Sequence, residues 1–211
     1  MIFLLLACVP KQPPTPPTPP TVAAPAPKAS LPVLDFSLPA DRPTFSGSDD
    51  APNTLVLFTD YECPYCQMAH QELKSFADRD DLRIVALNFP LHSDCNAGVG
   101  TQMHPKACSS AIATECAHQQ GRYAEMASRL AMPGSDLSAA GTQALATELD
   151  FDSVAYTRCV EDPATLEQVK ADAALGTTLG IRGTPSFVLQ KPDGVWYGLD
   201  GLHQLSEQLP D

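Results

Sequence analysis

Residues 53–70, NTLVLFTDYECPYCQMAH, decide how the rest of the chain is interpreted. The stretch begins with a short apolar, β-rich run that is typical of a buried strand. It continues into Cys63, Pro64, Tyr65 and Cys66, and apolar residues at helical spacing follow. Pro64 suits the first turn of a helix. The pattern therefore predicts a strand that runs directly into a helix, with two cysteines at the junction.

A single C-x-x-C pair is compatible with a metal site, a structural disulfide or a redox-active pair. A structural zinc site needs four ligands, usually from two such pairs, and the chain has one pair. Cys95, Cys108 and His104 could supply further ligands, but a proline at the start of a helix does not resemble a zinc knuckle. We therefore expect neither a metal site nor another cofactor.

The position of the pair favours the redox interpretation. Unpaired N–H groups and the helix dipole at the start of a helix favour negative charge, which lowers the pKa of a cysteine there. We expect Cys63 to be an exposed, nucleophilic thiol and Cys66 to be its sheltered partner. Glu62 directly precedes the nucleophile, and its charge would raise the pKa of Cys63 unless it points away. A purely structural Cys63–Cys66 disulfide is the alternative.

The chain around this pair alternates strands and helices. A second buried strand is predicted in LRIVALNFP (82–90), and strand–helix–strand order favours a parallel pair with a right-handed crossover. Residues 105–162 have helical periodicity, with three or four short helices, and a further helix follows from 163 to about 179. Two strands, 186–190 and 195–200, and a short helix at 202–209 complete the pattern.

The N-terminus differs in composition from this domain. MIFLLLACVP resembles a bacterial lipobox, in which Cys8 would carry lipid, although only seven residues, none basic, precede it. An ordinary apolar N-terminus is the alternative. Residues 9–33 are rich in proline, threonine and alanine, and are expected to form an extended stalk. We therefore expect residues 1–8 to be a signal remnant and 34–211 to form the folded domain, with a lipid as its only membrane contact.

A second motif, GIRGTPSFVL (180–189), follows the C-x-x-C pair by about 120 residues. A Thr-Pro dipeptide before a strand is a common site for a cis proline. Together, the two motifs resemble the thioredoxin superfamily, and the helical block at about 105–162 resembles the insertion of DsbA-like proteins. Residues 88–96 and 103–126 also resemble the thioredoxin-like domains that are fused to vitamin K epoxide reductase homologues.

This resemblance implies an α/β thioredoxin fold with an inserted helical block, and it implies roles for matching residues. Cys63 would be the nucleophile and Cys66 its redox partner. Pro64 and Tyr65 would tune their potential. Thr184 and a cis Pro185 would form the loop that binds substrate, with the Thr184 backbone pairing with an extended peptide.

Four further cysteines remain when Cys8 and the C-x-x-C pair are set aside. Cys95 and Cys108 flank a short, loop-like segment, and Cys116 and Cys159 lie in apolar contexts on two predicted helices. We predict structural disulfides Cys95–Cys108 and Cys116–Cys159, with free buried thiols at Cys116 and Cys159 as the alternative. The histidines show no triad or ligand pattern and are expected at the surface or at helix caps: His70, His92, His104, His118 and His203.

These observations predict a monomeric, lipid-anchored thiol–disulfide oxidoreductase of the bacterial cell envelope. Its substrates would be protein thiols or disulfides, and a membrane redox partner would sustain turnover. The formal net charge of −12 argues against nucleic acid as a partner. The alternative is a redox-inert, stalked thioredoxin-like module that binds a peptide or a metal ion.

Overall fold

The computed structural model of the chain describes residues 31–209. Cys8, the expected signal remnant and the expected stalk up to residue 30 lie outside the described residues. The last residues assigned to the stalk already belong to the sheet, since Val33 is in the first strand and the carbonyl of Pro32 accepts a hydrogen bond from the N–H of Gly198. No helix among the described residues is both long and apolar enough to span a bilayer.

Between residues 31 and 209, six strands form one mixed sheet in the order β1-β6-β5-β3-β4-β2. They are β1 (Val33–Leu34), β2 (Thr44–Ser46), β3 (Asn53–Thr59), β4 (Leu82–Asn88), β5 (Ser186–Gln190) and β6 (Trp196–Leu199). Strands β3 and β4 are parallel, as the sequence predicts, and the other neighbours are antiparallel. Every residue of β3 is buried, as expected for a strand covered on both faces.

Within the described part of the chain, seven α-helices accompany the sheet: α1 (Pro64–Leu73), α2 (Ala107–Gln119), α3 (Tyr123–Leu130), α4 (Ala139–Glu148), α5 (Ser153–Glu161), α6 (Pro163–Thr178) and α7 (Leu202–Gln208). A short 3₁₀ turn, Lys74–Phe76, continues α1. Asp162 caps α6 through a hydrogen bond from the N–H of Ala164, and Pro163 occupies its first turn. Helices α2 to α5 occupy the segment between β4 and α6.

The sheet separates two apolar layers because successive residues of a strand face opposite sides. Leu55 and Leu57 of β3 belong to the cluster that includes Leu73 of α1 and Leu205 of α7. Val56 and Phe58 belong to the cluster on the other face, with Ala173 of α6 and the aromatic pair Phe36 and Trp196. A third cluster lies among helices α2 to α5 and includes Tyr61, from the turn after β3.

Among the described residues, two disulfides and a buried ion cluster join the helices to one another and to neighbouring loops. Cys95 is bonded to Cys108, and Cys116 on α2 is bonded to Cys159 on α5, which is the predicted pairing.

The ion cluster joins the segment before β2 to helices α2 and α6. One guanidinium nitrogen of Arg42 lies 2.6 Å from the carboxylate of Glu115 and 2.9 Å from that of Asp172. Burial raises the pKa of Asp172 to about 7. Glu115 and Asp172 thus pair with the same buried guanidinium group, that of Arg42.

Candidate active site at the start of helix α1

The C-x-x-C pair lies where β3 passes into α1. Cys63 is the N-cap residue of α1, with an extended backbone, and Pro64 is the first helical residue. The structure contains both cysteines as free thiols. The expectation that Cys63 is exposed is wrong, because only 4% of it is accessible, while Cys66 is completely buried. The backbone of Thr184 lies against Cys63, whose thiol donates to the Thr184 carbonyl at 3.4 Å.

The two thiols have opposite pKa shifts. The pKa of Cys63 is lowered to about 5, chiefly by a hydrogen bond from the Cys66 thiol, against the opposing effect of burial. The N–H groups of Cys66 and Tyr65 at the start of α1 contribute as well. Burial raises the pKa of Cys66, and the nearby Cys63 raises it further. At neutral pH the negative charge therefore belongs to Cys63.

The loop before β5 completes the site. The Thr184–Pro185 peptide bond is cis. The Thr184 hydroxyl is buried and has no hydrogen-bond partner among residues 31–209. It is near enough to both sulfurs to lower the pKa of each thiol. Tyr65, which lies between the two cysteines in the sequence, is 67% exposed.

Glu62 does not direct its charge at the nucleophile. Its carboxylate accepts the N–H of Lys106 at 2.6 Å, just before the start of α2. Glu62 is also not among the main causes of the lowered pKa of Cys63. The sequence predicts that Glu62 has little effect on the pKa of Cys63 if its side chain points away, and this is the arrangement in the structure.

Asp60 is central to the turn, and sequence reasoning gave it no role. The residue is 2% exposed, and its carboxylate accepts hydrogen bonds from the N–H groups of Glu62 at 2.8 Å and Leu91 at 2.7 Å. His104 Nδ1 lies 2.8 Å from the same carboxylate. The signal that could have identified Asp60 is a charged side chain two residues after the apolar run 55–58 of a predicted buried strand, since such a residue needs buried partners.

Two of the histidines contradict the expected surface or cap positions. His70 is 1% exposed, and its ring stacks on Tyr61 at a centroid distance of 5.3 Å. Burial lowers the pKa of His70 to about 4, which keeps the ring neutral at pH 7. His92 is 8% exposed, and its Nδ1 accepts the N–H of Asp94.

His92 is also near enough to Cys95 and Cys108 for the three residues to form a candidate metal-binding group among the described residues. In the structure, however, the two sulfurs are joined in a disulfide and therefore cannot act as thiolate ligands.

Comparisons with known proteins agree with this geometry. Residues 54–210 match a family described as the DSBA-like thioredoxin domain. A solved thioredoxin-like oxidoreductase from Silicibacter pomeroyi is 27% identical, with a TM-score of 0.64, over 80% of this chain and 90% of that one. Pseudomonas aeruginosa DsbA2 shares the fold at 20% identity and a TM-score of 0.62, over 83% and 98% of the two chains.

Curated relatives carry a different name. A protein named Na(+)/H(+) antiporter NhaA 3, from Salinispora tropica, is 30% identical over 162 residues, which is 75% of this chain and 24% of that protein. The chain thus spans about a quarter of the length of the curated relatives it matches.

Proposed function

Because the chain belongs to the family of DSBA-like thioredoxin domains, whose members are thiol–disulfide oxidoreductases, we propose that Cys63 and Cys66 exchange disulfides with protein substrates in the cell envelope. The observation that carries this proposal is the opposite shift of the two pKa values. A cysteine with a pKa of about 5 is a thiolate at neutral pH, and its buried neighbour stays protonated. Such a pair has one nucleophile and one resolving thiol.

The same shift favours oxidation of the substrate. The lowered pKa of Cys63 stabilises the reduced form at pH 7 relative to an ordinary cysteine pair, because the thiolate exists only when the disulfide is open. The Cys63–Cys66 disulfide therefore takes electrons from substrate thiols more readily than an unperturbed disulfide does.

The exchange proceeds in two thiolate attacks. A substrate thiolate attacks Cys63 Sγ, a mixed disulfide forms, and the electron pair of the broken S–S bond leaves with Cys66 as its thiolate, which then takes up a proton. A second substrate thiolate attacks the substrate sulfur of the mixed disulfide and releases Cys63 as a thiolate. The substrate loses two electrons and gains a disulfide, and the Cys63–Cys66 pair becomes a dithiol.

The loop that contains Thr184 is the proposed substrate-binding segment. Its carbonyl lies against Cys63, so a peptide that pairs with this backbone would place a cysteine beside the nucleophile. Tyr65 would add an exposed aromatic surface next to the reacting sulfur. Pro64 would fix the start of α1 without presenting an N–H group to be satisfied.

Location and partners are proposed from the sequence. Cys8 would carry a lipid, residues 9–30 would form the stalk, and the domain from 31 to 211, with its helical insertion at about 105–162, would act as a monomer. A membrane redox partner would reoxidise the pair. Cys8→Ser should move the protein from the membrane to the soluble fraction without loss of thiol reactivity. A wild-type protein found wholly in the soluble fraction would contradict the anchor.

Trapping tests the redox function. In Cys66→Ser, the Cys63 thiolate can still attack a disulfide of an oxidised substrate protein, and the second substrate sulfur leaves as a thiolate. No Cys66 thiol remains to release Cys63, so mixed disulfides with substrate proteins should accumulate and disappear on reduction. A Cys63→Ser, Cys66→Ser double variant is the matched control and should trap nothing. A redox-inert binding module predicts no adducts with either variant and no acid-shifted thiol, and this result would refute the proposed function.

A further inference from the structure

Asp60 is a buried acid whose side chain takes no part in the exchange steps described above. One carboxylate oxygen accepts the N–H of Glu62, and the other accepts the N–H of Leu91 and lies 2.8 Å from His104 Nδ1. The side chain of Asp60 is fully buried and that of His104 is 15% exposed. Hydrogen bonds to a carboxylate are among the stronger ones in proteins, so these three contacts fix the conformation of Asp60.

The backbone of Asp60 faces the redox pair. Its N–H donates to Cys66 Sγ at 3.4 Å, and its carbonyl accepts the N–H of Cys63 at 3.1 Å. The carboxylate thus anchors the residue to the loop between β4 and α2, while the N–H group reaches the sulfur that must leave when the disulfide is attacked.

Departure of Cys66 is the step in which this contact matters. When a substrate thiolate attacks Cys63, the electron pair of the S–S bond passes to Cys66 Sγ, where negative charge develops. Cys66 is completely buried, so protein groups must stabilise that charge. Burial also raises the pKa of the Cys66 thiol, and a thiol of high pKa is a poor leaving group. A fixed N–H donor at the sulfur lowers the barrier to this step.

We propose that Asp60 is a positioning residue for the leaving group: its carboxylate, held by Leu91 and His104, keeps its own N–H directed at Cys66 Sγ. This inference rests on the proposed function of the Cys63–Cys66 pair. The surrounding loop is suited to the role, since Glu62 also binds the N–H of Lys106 in that loop and the Cys95–Cys108 disulfide closes it.

The role of Asp60 can be tested by comparing two rate constants. The first describes the reduction of the oxidised protein by dithiothreitol, a reaction in which Cys66 is the leaving group. The second is that for alkylation of Cys63 in the reduced protein, in which nothing leaves from Cys66. Asp60→Asn puts an amide N–H where the carboxylate accepts one, and should slow reduction roughly tenfold, the effect of about one hydrogen bond to a charged group, with alkylation unchanged.

His104 provides the second variant and the controls. His104→Leu should slow reduction in the same selective way, and His104→Asn, whose amide N–H can replace the Nδ1–H donor, should restore it. His118 pairs with Asp41 elsewhere on the surface, so His118→Leu is a matched control that should leave both rate constants unchanged. The His104 series is sufficient by itself if Asp60→Asn does not fold.

Selective slowing of reduction supports the proposal. Reduction rates equal to wild type in both the Asp60 and His104 variants would overturn it, and so would equal slowing of reduction and alkylation, which indicates only a misfolded turn. A wild-type protein whose Cys63–Cys66 disulfide does not react with dithiothreitol would instead contradict the proposed function.

Discussion

Removal of the Cys66 thiol is expected to raise the pKa of Cys63. The hydrogen bond from this thiol is the largest cause of the low pKa of Cys63, which is about 5. A hydrogen bond to a charged group contributes about 1.5–3 kcal/mol, and one pKa unit corresponds to about 1.4 kcal/mol, so Cys66→Ala should raise the pKa by about one to two units. The N–H groups at the start of α1 remain and should keep it below the ~8.5 of a free cysteine.

The assay is the rate of iodoacetamide alkylation between pH 4 and 9, with thiolate absorbance at 240 nm as an independent measure. Reduction must be mild enough to leave the Cys95–Cys108 and Cys116–Cys159 disulfides closed. Cys66→Ser is the matched control, since its hydroxyl keeps a donor near Cys63 and should shift the midpoint less. A Cys66→Ala midpoint equal to that of wild type would refute this reasoning, as would a wild-type midpoint at or above ~8.5.

Three further predictions concern stability and tuning. Cys116→Ala opens a disulfide with a sequence separation of 43 and should lower the free energy of unfolding by about 4 kcal/mol, and Cys95→Ala, with a separation of 13, by about 3 kcal/mol, in urea titrations. Burial raises the pKa of Asp172 to about 7, so the folded state holds this proton more tightly than the unfolded state. Wild-type stability should therefore fall as the pH rises from about 4 to 7, and less so in Asp172→Asn. Thr184→Val removes a hydroxyl near both sulfurs and should raise the pKa of Cys63 by up to about one unit, measured by alkylation.

Each of these has a contradicting outcome. Free thiols in non-reduced peptide maps at Cys116 and Cys159 would refute the pairing in the helical block. Parallel pH profiles for wild type and Asp172→Asn would show that Asp172 releases its proton at the same pH in both states. An unchanged alkylation midpoint in Thr184→Val would show that the Thr184 hydroxyl does not lower the pKa of Cys63.

The central part of the fold could be predicted because its elements carry strong local patterns. Strand β3 contains the uninterrupted apolar run 55–58, α1 begins with a proline, and β5 and β6 flank a Pro-Asp-Gly turn. Strands β1 and β2 have only two and three residues, which is too short for an alternating pattern, so they were not predicted. Their positions depend on pairing with β6 and β4.

Cys63 and Cys66 could be predicted for the same reason, whereas Asp60 and His104, which hold the turn beside them, could not. Cys63 and Cys66 lie within one motif, and their environment follows largely from the helix start. Asp60 and His104 are 44 residues apart, and their contact exists only once the loop before α2 folds against the turn. His70 lies on the buried side of α1, which the sequence of that helix does not distinguish clearly because polar residues surround it.

Whether the Cys63–Cys66 pair oxidises protein thiols can be measured as the transfer of its disulfide to another protein. The fully oxidised protein is mixed at pH 7 with a reduced, unfolded polypeptide that contains two cysteines, and both products are counted after acid quenching and alkylation. The account predicts one new disulfide in the polypeptide for each Cys63–Cys66 pair reduced, and none with Cys63→Ser. Unchanged polypeptide thiols, or transfer by Cys63→Ser at the wild-type rate, would contradict it.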